Sequence, residues 1–309
     1  MNNCLVFTGT ANQFLAEKIA AYLKKPLGSM SVSRFSDSEI SVKIDENSRG
    51  KDVFIIQSTC YPVNENLMEL LIILDAFRRA SPRRITAVLP YYGYARQDRK
   101  DKPRVPITAK LVANLLVAAG AQRILTMDLH ASQIQGFFDI PVDHLFAAPV
   151  IINYLKKKDM KNPVIVAPDV GSVKMARAFA KLLQARLAIV DKRRDNPDSV
   201  EAIHLIGEVA GCEAIIVDDL ISTGSTVIEA TKVLLENGAS KVIASCTHAV
   251  FSGDAITKLE GCGLSEIIIT DTIPHTGLPK EVVTLSVAEL LGEAIKRIHQ
   301  ESSVSSLFI

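Results

Sequence analysis

Short apolar runs rich in Val, Ile and Leu recur along the chain: CLVFTGT, DVFIIQST, RITAVLP, RILTMDL, PVIVAPD, RLAIVD, EAIIVDD, KVIASCT and EIIITDT. Continuous β-branched runs without polar alternation predict strands buried on both faces, which is the signature of parallel pairing. The stretches between them carry helical spacing. ENLMELLIILDAFRRA places Leu67, Leu70, Leu71 and Leu74 on one face, with Asn64 positioned to cap and Ser81-Pro82 to end the helix. The tail SVAELLGEAIKRIHQ has Ser286 and Glu289 in capping-box spacing and an apolar face of Val287, Leu290, Leu291, Ala294 and Ile298. Strands alternating with helices predict an α/β fold of doubly wound layers.

At 309 residues the chain exceeds the roughly 100–200 residues of one ordinary domain. LLVAAGAQRILTMDLH (Leu115 to His130) aligns without gaps on VLLENGASKVIASCTH (Val233 to His248). Helix, Gly-Ala turn and strand recur in order, with Gly120 and Gly238 where a helix end needs a left-handed residue. Any helix–strand junction shares part of this pattern, but the Gly-Ala pair and the terminal His favour a duplicated domain with its boundary near residue 145.

Hydrophobic residues make up 48% of the chain, yet no run approaches the ~20 apolar residues of a membrane span, so no membrane association is expected. MNNCLVFTGT lacks the basic start and cleavage site of a secretory signal. The five cysteines form no CxxC or Cys/His zinc spacing and read as reduced thiols of a cytoplasmic protein. With 35 basic against 34 acidic residues, no overall field attracts nucleic acid, so an anionic ligand must be captured locally.

EAIIVDDLISTGSTVIEATKVL supplies a local capture site. A buried strand leads into two carboxylates, a small hydroxyl-rich turn and a helix. Backbone N–H groups at a helix start, with Ser222, Thr223, Ser225 and Thr226 beside them, suit an anion, and Gly224 lets the backbone approach a phosphate. Asp218 and Asp219 are placed to accept hydrogen bonds from vicinal ribose hydroxyls. A capped helix after a turn would account for Ser225 and Thr226 but not for two adjacent carboxylates. No GxxxxGK[ST] is present, which excludes a Walker A loop.

This segment resembles the phosphoribosyl-binding loop of the phosphoribosyltransferase fold. SRFSDSEI (33–40), YYGYARQDRK (91–100), MDLHASQIQGFFDIPVD (127–143), APDVGSVKMARAFA (167–180) and DKRR (191–194) accompany it. In this order, over nearly the whole chain, they resemble the ribose-phosphate diphosphokinases. The resemblance implies two tandem phosphoribosyltransferase-like domains, each a mainly parallel sheet flanked by helices. They cover residues 1–145 and 146–309, with the C-terminal tail free to pack on the first. It implies transfer of the diphosphoryl group of ATP to the anomeric hydroxyl of ribose 5-phosphate, with Mg2+ as cofactor, in a homo-oligomer that is hexameric or dimer-based. A phosphoribosyltransferase consuming the product would share the 218–226 loop without needing the motifs at 35–39 and 96–98; a non-catalytic regulatory subunit of the same family would have lost the flap cations or carry an insertion there, whereas Lys192 and Arg194 are present.

Residue roles follow from the same resemblance. His130 and Asp169 correspond to metal-site residues, although a His after a strand is by itself more often structural. Arg96, Gln97 and Asp98 correspond to the ATP-binding segment. Phe35, Asp37 and Glu39 alternate as a strand would; alone FSDSE reads as a surface turn, but the resemblance implies a loop reaching ATP in a neighbouring subunit. Lys192 and Arg194 open DKRRDNPDSV, locally a basic surface loop and by resemblance a catalytic flap that closes over ATP. The loop departs from the family's usual DDxxDTxGT, with Ser222 replacing an acidic residue and Ser225 a glycine; Pro103 departs in a region linked to ADP regulation.

Overall fold

The computed structural model describes residues 3–193 and 202–307, which group into two compact units. The first comprises Met1–Phe146, Thr272–Pro274 and Ser286–Ile309, and the second Ala147–Asp271 and His275–Leu285. In chain order the first unit contains β1 (Cys4–Thr8), α1 (Gln13–Leu23), β2 (Met30–Arg34), β3 (Ile40–Ile44), β4 (Asp52–Ile56), α2 (Val63–Ala80), β5 (Arg84–Leu89), α3 (Thr108–Ala119), β6 (Arg123–Met127) and β7 (Val142–Leu145). The second contains α4 (Ala148–Leu155), β8 (Pro163–Ala167), α5 (Val173–Leu183), β9 (Arg186–Arg193), β10 (Ala202–Ile206), β11 (Glu213–Ile221), α6 (Ser225–Glu236), β12 (Lys241–Ala249), α7 (Ala255–Glu260), β13 (Glu266–Thr270) and β14 (Val282–Leu285). Helix α8 (Ala288–His299) belongs to the first unit.

All nine apolar runs form strands with parallel neighbours. The first sheet has the order β1-β4-β5-β6-β7, all parallel; the second has β10-β9-β8-β11-β12-β13-β14, parallel except for the antiparallel β9–β10 pair. Each is an α/β layer flanked by helices. Runs such as Asp52–Ile56 and Glu266–Thr270 are buried at every position, as strands covered on both faces must be. Gly120 and Gly238 both take positive φ at the ends of α3 and α6. The five cysteines are free thiols, four of them fully buried.

Helix α2 buries Leu67, Leu70, Ile73, Leu74 and Phe77 against the first sheet, while Leu71 is half-buried. Each fully buried side chain of this kind contributes roughly 1.5–3 kcal/mol. Phe77 packs on Phe7 with ring centroids 4.6 Å apart. Asn64 does not cap this helix: it lies in the first turn, Pro62 occupies the cap, and the Asn64 side chain accepts the Tyr94 hydroxyl instead. Nor does Ser286 form a capping box. Helix α8 starts at Ala288 with Val287 at the cap, and Ser286 Oγ accepts only the Ala288 N–H at 3.3 Å. At its other end, α8 is tied to the sheet through Asp52, whose Oδ2 accepts Arg84 Nη2 at 3.0 Å and lies 2.7 Å from His299 Nδ1.

The turn from β1 into α1 rests on a buried carboxylate. Glu69 Oε1 accepts Thr10 N–H at 2.6 Å and Gln57 Nε2 at 2.9 Å, and its Oε2 accepts the Thr10 hydroxyl at 2.6 Å. Glu69 is 3% exposed, so these donors are what offset its removal from water. Glu69→Ala leaves these donors unpaired and is expected to lower stability by roughly 3 kcal/mol. A urea unfolding midpoint equal to that of the unmodified protein would show that the network contributes nothing.

Candidate active site

The two sheets differ in one respect that decides where a ligand can enter. In the first, sheet order follows chain order from one edge to the other. In the second, the chain leaves β8 in one direction to β9 and β10, then returns on the other side to β11, β12, β13 and β14. The β8–β11 boundary is therefore a topological switch point, and in open α/β sheets the crevice beyond the C-terminal ends of such strands is where ligands bind.

Strand β11 pairs with β8 only as far as Ile216, opposite Val166, whereas it pairs with β12 up to Ile221, opposite Ala249. Residues 218–221 thus extend past β8 with one strand neighbour. The sequence reading ended the strand at the two carboxylates; β12 carries it on to Ile221. Into the crevice comes the β8–α5 turn, where Asp169 Oδ1 accepts the Ser172 N–H at 3.0 Å and lies 3.2 Å from the Ser172 hydroxyl. That hydroxyl donates to Asp218 Oδ1 at 2.7 Å, and Asp218 Oδ1 also accepts the Asp219 N–H at 2.9 Å. Ser172 links the two strand ends. Ser172 is not among the sequence candidates; its position three residues after Asp169, at the start of a helix, is the signal that points to it.

Burial pushes the Asp218 carboxyl from its ordinary 3.8 up to about 8, with the charges of Asp219 and then Asp169 acting in the same direction and the Ser172 hydroxyl opposing them. Cys246, opposite Asp218 on β12, is raised well above its ordinary value by burial first and by the Asp218 charge second, so it stays a neutral thiol.

Beyond β11, Gly224 takes φ +80 at the start of α6, a conformation that disfavours any residue with a Cβ. Its Cβ would also approach Leu259 at 3.2 Å. No side chain caps α6, and the N–H groups of its first turn have no acceptor within the helix. Thr223 and Ser225 are exposed with hydroxyls 3.2 Å apart, and Ser222 and Thr226 are half-buried. The arrangement can hold an anion at 222–226 and hydroxyl groups at Asp218 and Asp219.

The remaining candidates lie elsewhere. Arg96 and Gln97 are exposed and Asp98 half-exposed on the loop after β5, where Gln97 C=O accepts Ala109 N–H at 3.1 Å and the Gln97 side chain accepts the Thr108 hydroxyl. Phe35, Asp37 and Glu39 are not strand residues: they form the turn between β2 and β3, with Ser38 at φ +75, Phe35 N–H donating to Glu39 C=O at 2.9 Å and Asp37 Oδ1 accepting Glu39 N–H at 3.1 Å. Both segments are anchored to the first turn of α2, through Arg34–Glu65 at 2.5 Å and Tyr94–Asn64. His130 is exposed after β6 in the first unit, whereas Asp169 belongs to the second. Lys192 lies within β9 opposite Ile203, not in a loop, and Arg194 lies outside the described residues. Among the described residues, no three His, Cys, Asp or Glu side chains are grouped as a metal cage.

Comparison with known proteins matches residues 4–120 to the N-terminal domain of ribose phosphate pyrophosphokinase and residues 196–309 to the phosphoribosyl synthetase-associated domain. The ribose-phosphate pyrophosphokinase of Rhizobium meliloti (strain 1021) is 55% identical over 307 residues, 98% of this chain and 99% of the relative. That of Campylobacter jejuni is 53% identical over 309 residues, the full length of both. The crystal structure of phosphoribosylpyrophosphate synthetase from Mycobacterium smegmatis superposes with a TM-score of 0.92 at 41% identity, covering 97% of this chain and all of that one.

The raised Asp218 carboxyl has a thermodynamic consequence. Between its ordinary 3.8 and about 8, the unfolded chain has released this proton while the folded protein keeps it, so Asp218 makes stability fall as pH rises through that window. Asp218→Asn cannot ionise, and its melting temperature without ligand is expected to decline less between pH 5 and pH 8 than that of the unmodified protein. Parallel melting profiles for the two proteins would rule out titration of Asp218 in this range.

Proposed function

The chain belongs to the ribose-phosphate pyrophosphokinase family, and we propose that the sugar phosphate of its reaction is held in the β8–β11 crevice of the second unit. The enzyme transfers the diphosphoryl group of ATP to the anomeric hydroxyl of ribose 5-phosphate, giving phosphoribosyl diphosphate and AMP. Asp218 and Asp219 accept hydrogen bonds from the ribose hydroxyls. Ser222, Thr223, Gly224, Ser225 and Thr226 bind the phosphate with the amides of the α6 N-terminus. The observation that carries this assignment is the Asp169–Ser172–Asp218 linkage at the switch point, on the strand that runs into that loop.

Arg96, Gln97 and Asp98 hold ATP, joined by Phe35, Asp37 and Glu39 from a neighbouring copy in a homo-oligomer. The 60% exposure of Phe35 at a hairpin tip supports that role. As the anomeric oxygen bonds to the β-phosphorus and the bridge to AMP breaks, negative charge gathers on phosphate oxygens. Lys192 and Arg194 offset it. The reaction requires a divalent metal, which we assign as Mg2+; when bound it neutralises phosphate charge. The Asp169 carboxylate matches this ion, which takes oxygen ligands and one or two carboxylates beside phosphates; Asp218 is raised by burial first and by carboxylate crowding second, and that crowding is charge a cation would offset. His130 is the proposed second metal residue, a nitrogen donor assigned by resemblance. No helix among the described residues is long and apolar enough to cross a membrane, and we assign the enzyme to the cytoplasm.

Phosphorus NMR of a mixture with ATP, ribose 5-phosphate and Mg2+ is expected to show AMP and phosphoribosyl diphosphate; ADP alone would contradict the reading. Lys192→Ala should lose about 10²–10³-fold in turnover with ribose 5-phosphate affinity by calorimetry nearly unchanged. Near-normal turnover would move the catalytic assignment elsewhere. Co-assembled Asp37→Ala and Lys192→Ala subunits, each poorly active alone, should regain part of the activity, and no recovery would argue against sites shared between copies.

A further inference from the structure

A second segment, to which no role has been given above, is fastened to the 222–226 loop. After β12 the chain turns through 250–253, and the N–H groups of Val250 and Phe251 both donate to Ile221 C=O, at 2.9 and 3.0 Å. The Ser252 N–H donates to Ser222 C=O at 3.0 Å, and the Ser222 and Ser252 hydroxyl oxygens lie 3.1 Å apart. Phe251 sits at φ +43, a left-handed conformation that aromatic residues rarely hold. Its ring packs on that of His275, centroids 5.3 Å apart, and His275 Nε2 lies 2.6 Å from Ala249 C=O. Three consecutive N–H groups thus donate to two carbonyls of the 218–226 segment, that of Val250 being shared with His248 C=O at 3.1 Å, and the backbone on both sides of the serine pair is held.

We propose that Ser252 is a further substrate-binding residue, whose hydroxyl joins that of Ser222 in donating to an anionic oxygen of the sugar phosphate. The inference rests on the reading of 218–226 as the sugar-phosphate loop. Each hydroxyl carries one proton and two lone pairs. At 3.1 Å one proton is spent between the two oxygens, so the pair presents one outward donor. An arriving phosphate oxygen accepts both protons after rotation of the hydroxyls alone, with no backbone movement, and hydrogen bonds to an ionised acceptor are the stronger kind. The serine at position 222 supplies one such donor, and Ser252 doubles the donor count. Ser252 is exposed and Ser222 half-buried, so the pair is open to ligand at one side and fixed at the other.

Calorimetry on the full-length protein tests this with ribose 5-phosphate, inorganic phosphate and unphosphorylated ribose. Ser252→Ala is expected to weaken ribose 5-phosphate and inorganic phosphate by about tenfold, the scale of one hydrogen bond to a charged group, and to leave ribose unchanged. Ser252→Thr keeps the hydroxyl and should bind within about twofold of the unmodified protein, which a merely structural defect at this turn would not permit. Thr226→Ala serves as the reference for the loop itself. If Thr226→Ala weakens phosphate binding and Ser252→Ala does not, the Ser252 assignment falls and the loop reading stands. If the unmodified protein binds neither phosphate ligand, both fall. A Ser252→Ala loss equal for ribose and ribose 5-phosphate also overturns the proposed phosphate contact.

Discussion

Parallel strand pairing is the constraint on which the rest of this structure depends. It sends the C-terminal ends of all the parallel strands of a sheet to the same edge, so the loops that follow them share that edge whatever their separation in sequence. In the second unit it brings Asp169, after β8, to Asp218, within β11, although 46 residues separate Ser172 from Asp218. The reversal of winding between β8 and β11 then prevents the crossover helices from covering the gap. A sheet wound in one direction, such as that of the first unit, has no such opening, and its candidates at 35–39 and 96–98 sit instead on segments anchored to the first turn of α2.

Concentrating carboxylates at that opening costs stability in the ligand-free protein. Asp218 is buried beside two further carboxylates and keeps its proton far above the usual range. The Ser172 hydroxyl and Asp219 N–H hold its oxygen in place without removing the repulsion. Such a cluster suits a site completed by hydroxyl groups and a cation, because ligand then offsets what the protein leaves unbalanced. The first unit treats its buried charge in the opposite way. Glu69 has its oxygens engaged by Thr10 and Gln57, so it stiffens the β1–α1 turn and presents nothing to a ligand. The same side-chain chemistry is met by neutral donors in one unit and set among further carboxylates in the other.

The apolar runs were legible as parallel strands because burial on both faces demands uninterrupted hydrophobic residues, and α2 because a single face of Leu and Phe repeats at helical spacing. The carboxylate pair and the Gly224 turn were legible for a related reason: charge at the end of an apolar strand and a glycine at φ +80 are local violations that a sequence displays openly. Short polar segments were less so. FSDSE alternates as a strand does, yet the antiparallel pairing of Met30–Arg34 with Ile40–Ile44 closes it into a turn. Asn64 was misplaced as a cap because Tyr94, distant in sequence, claims its side chain.

The sequence by itself determined the layer architecture, the two-part organisation and the residue types set along the 218–226 loop, since each depends on residue type and on neighbours within a few positions. Only the tertiary structure decided which strand lies beside β11, how far past β8 it projects, and which outlying groups meet it. Ser172 and Ser252 carry no local peculiarity; they matter because strand order places one below Asp218 and the other against Ser222. Pairing order is a property of the whole sheet, set by the packing of helices on both faces, and no short window of sequence contains it.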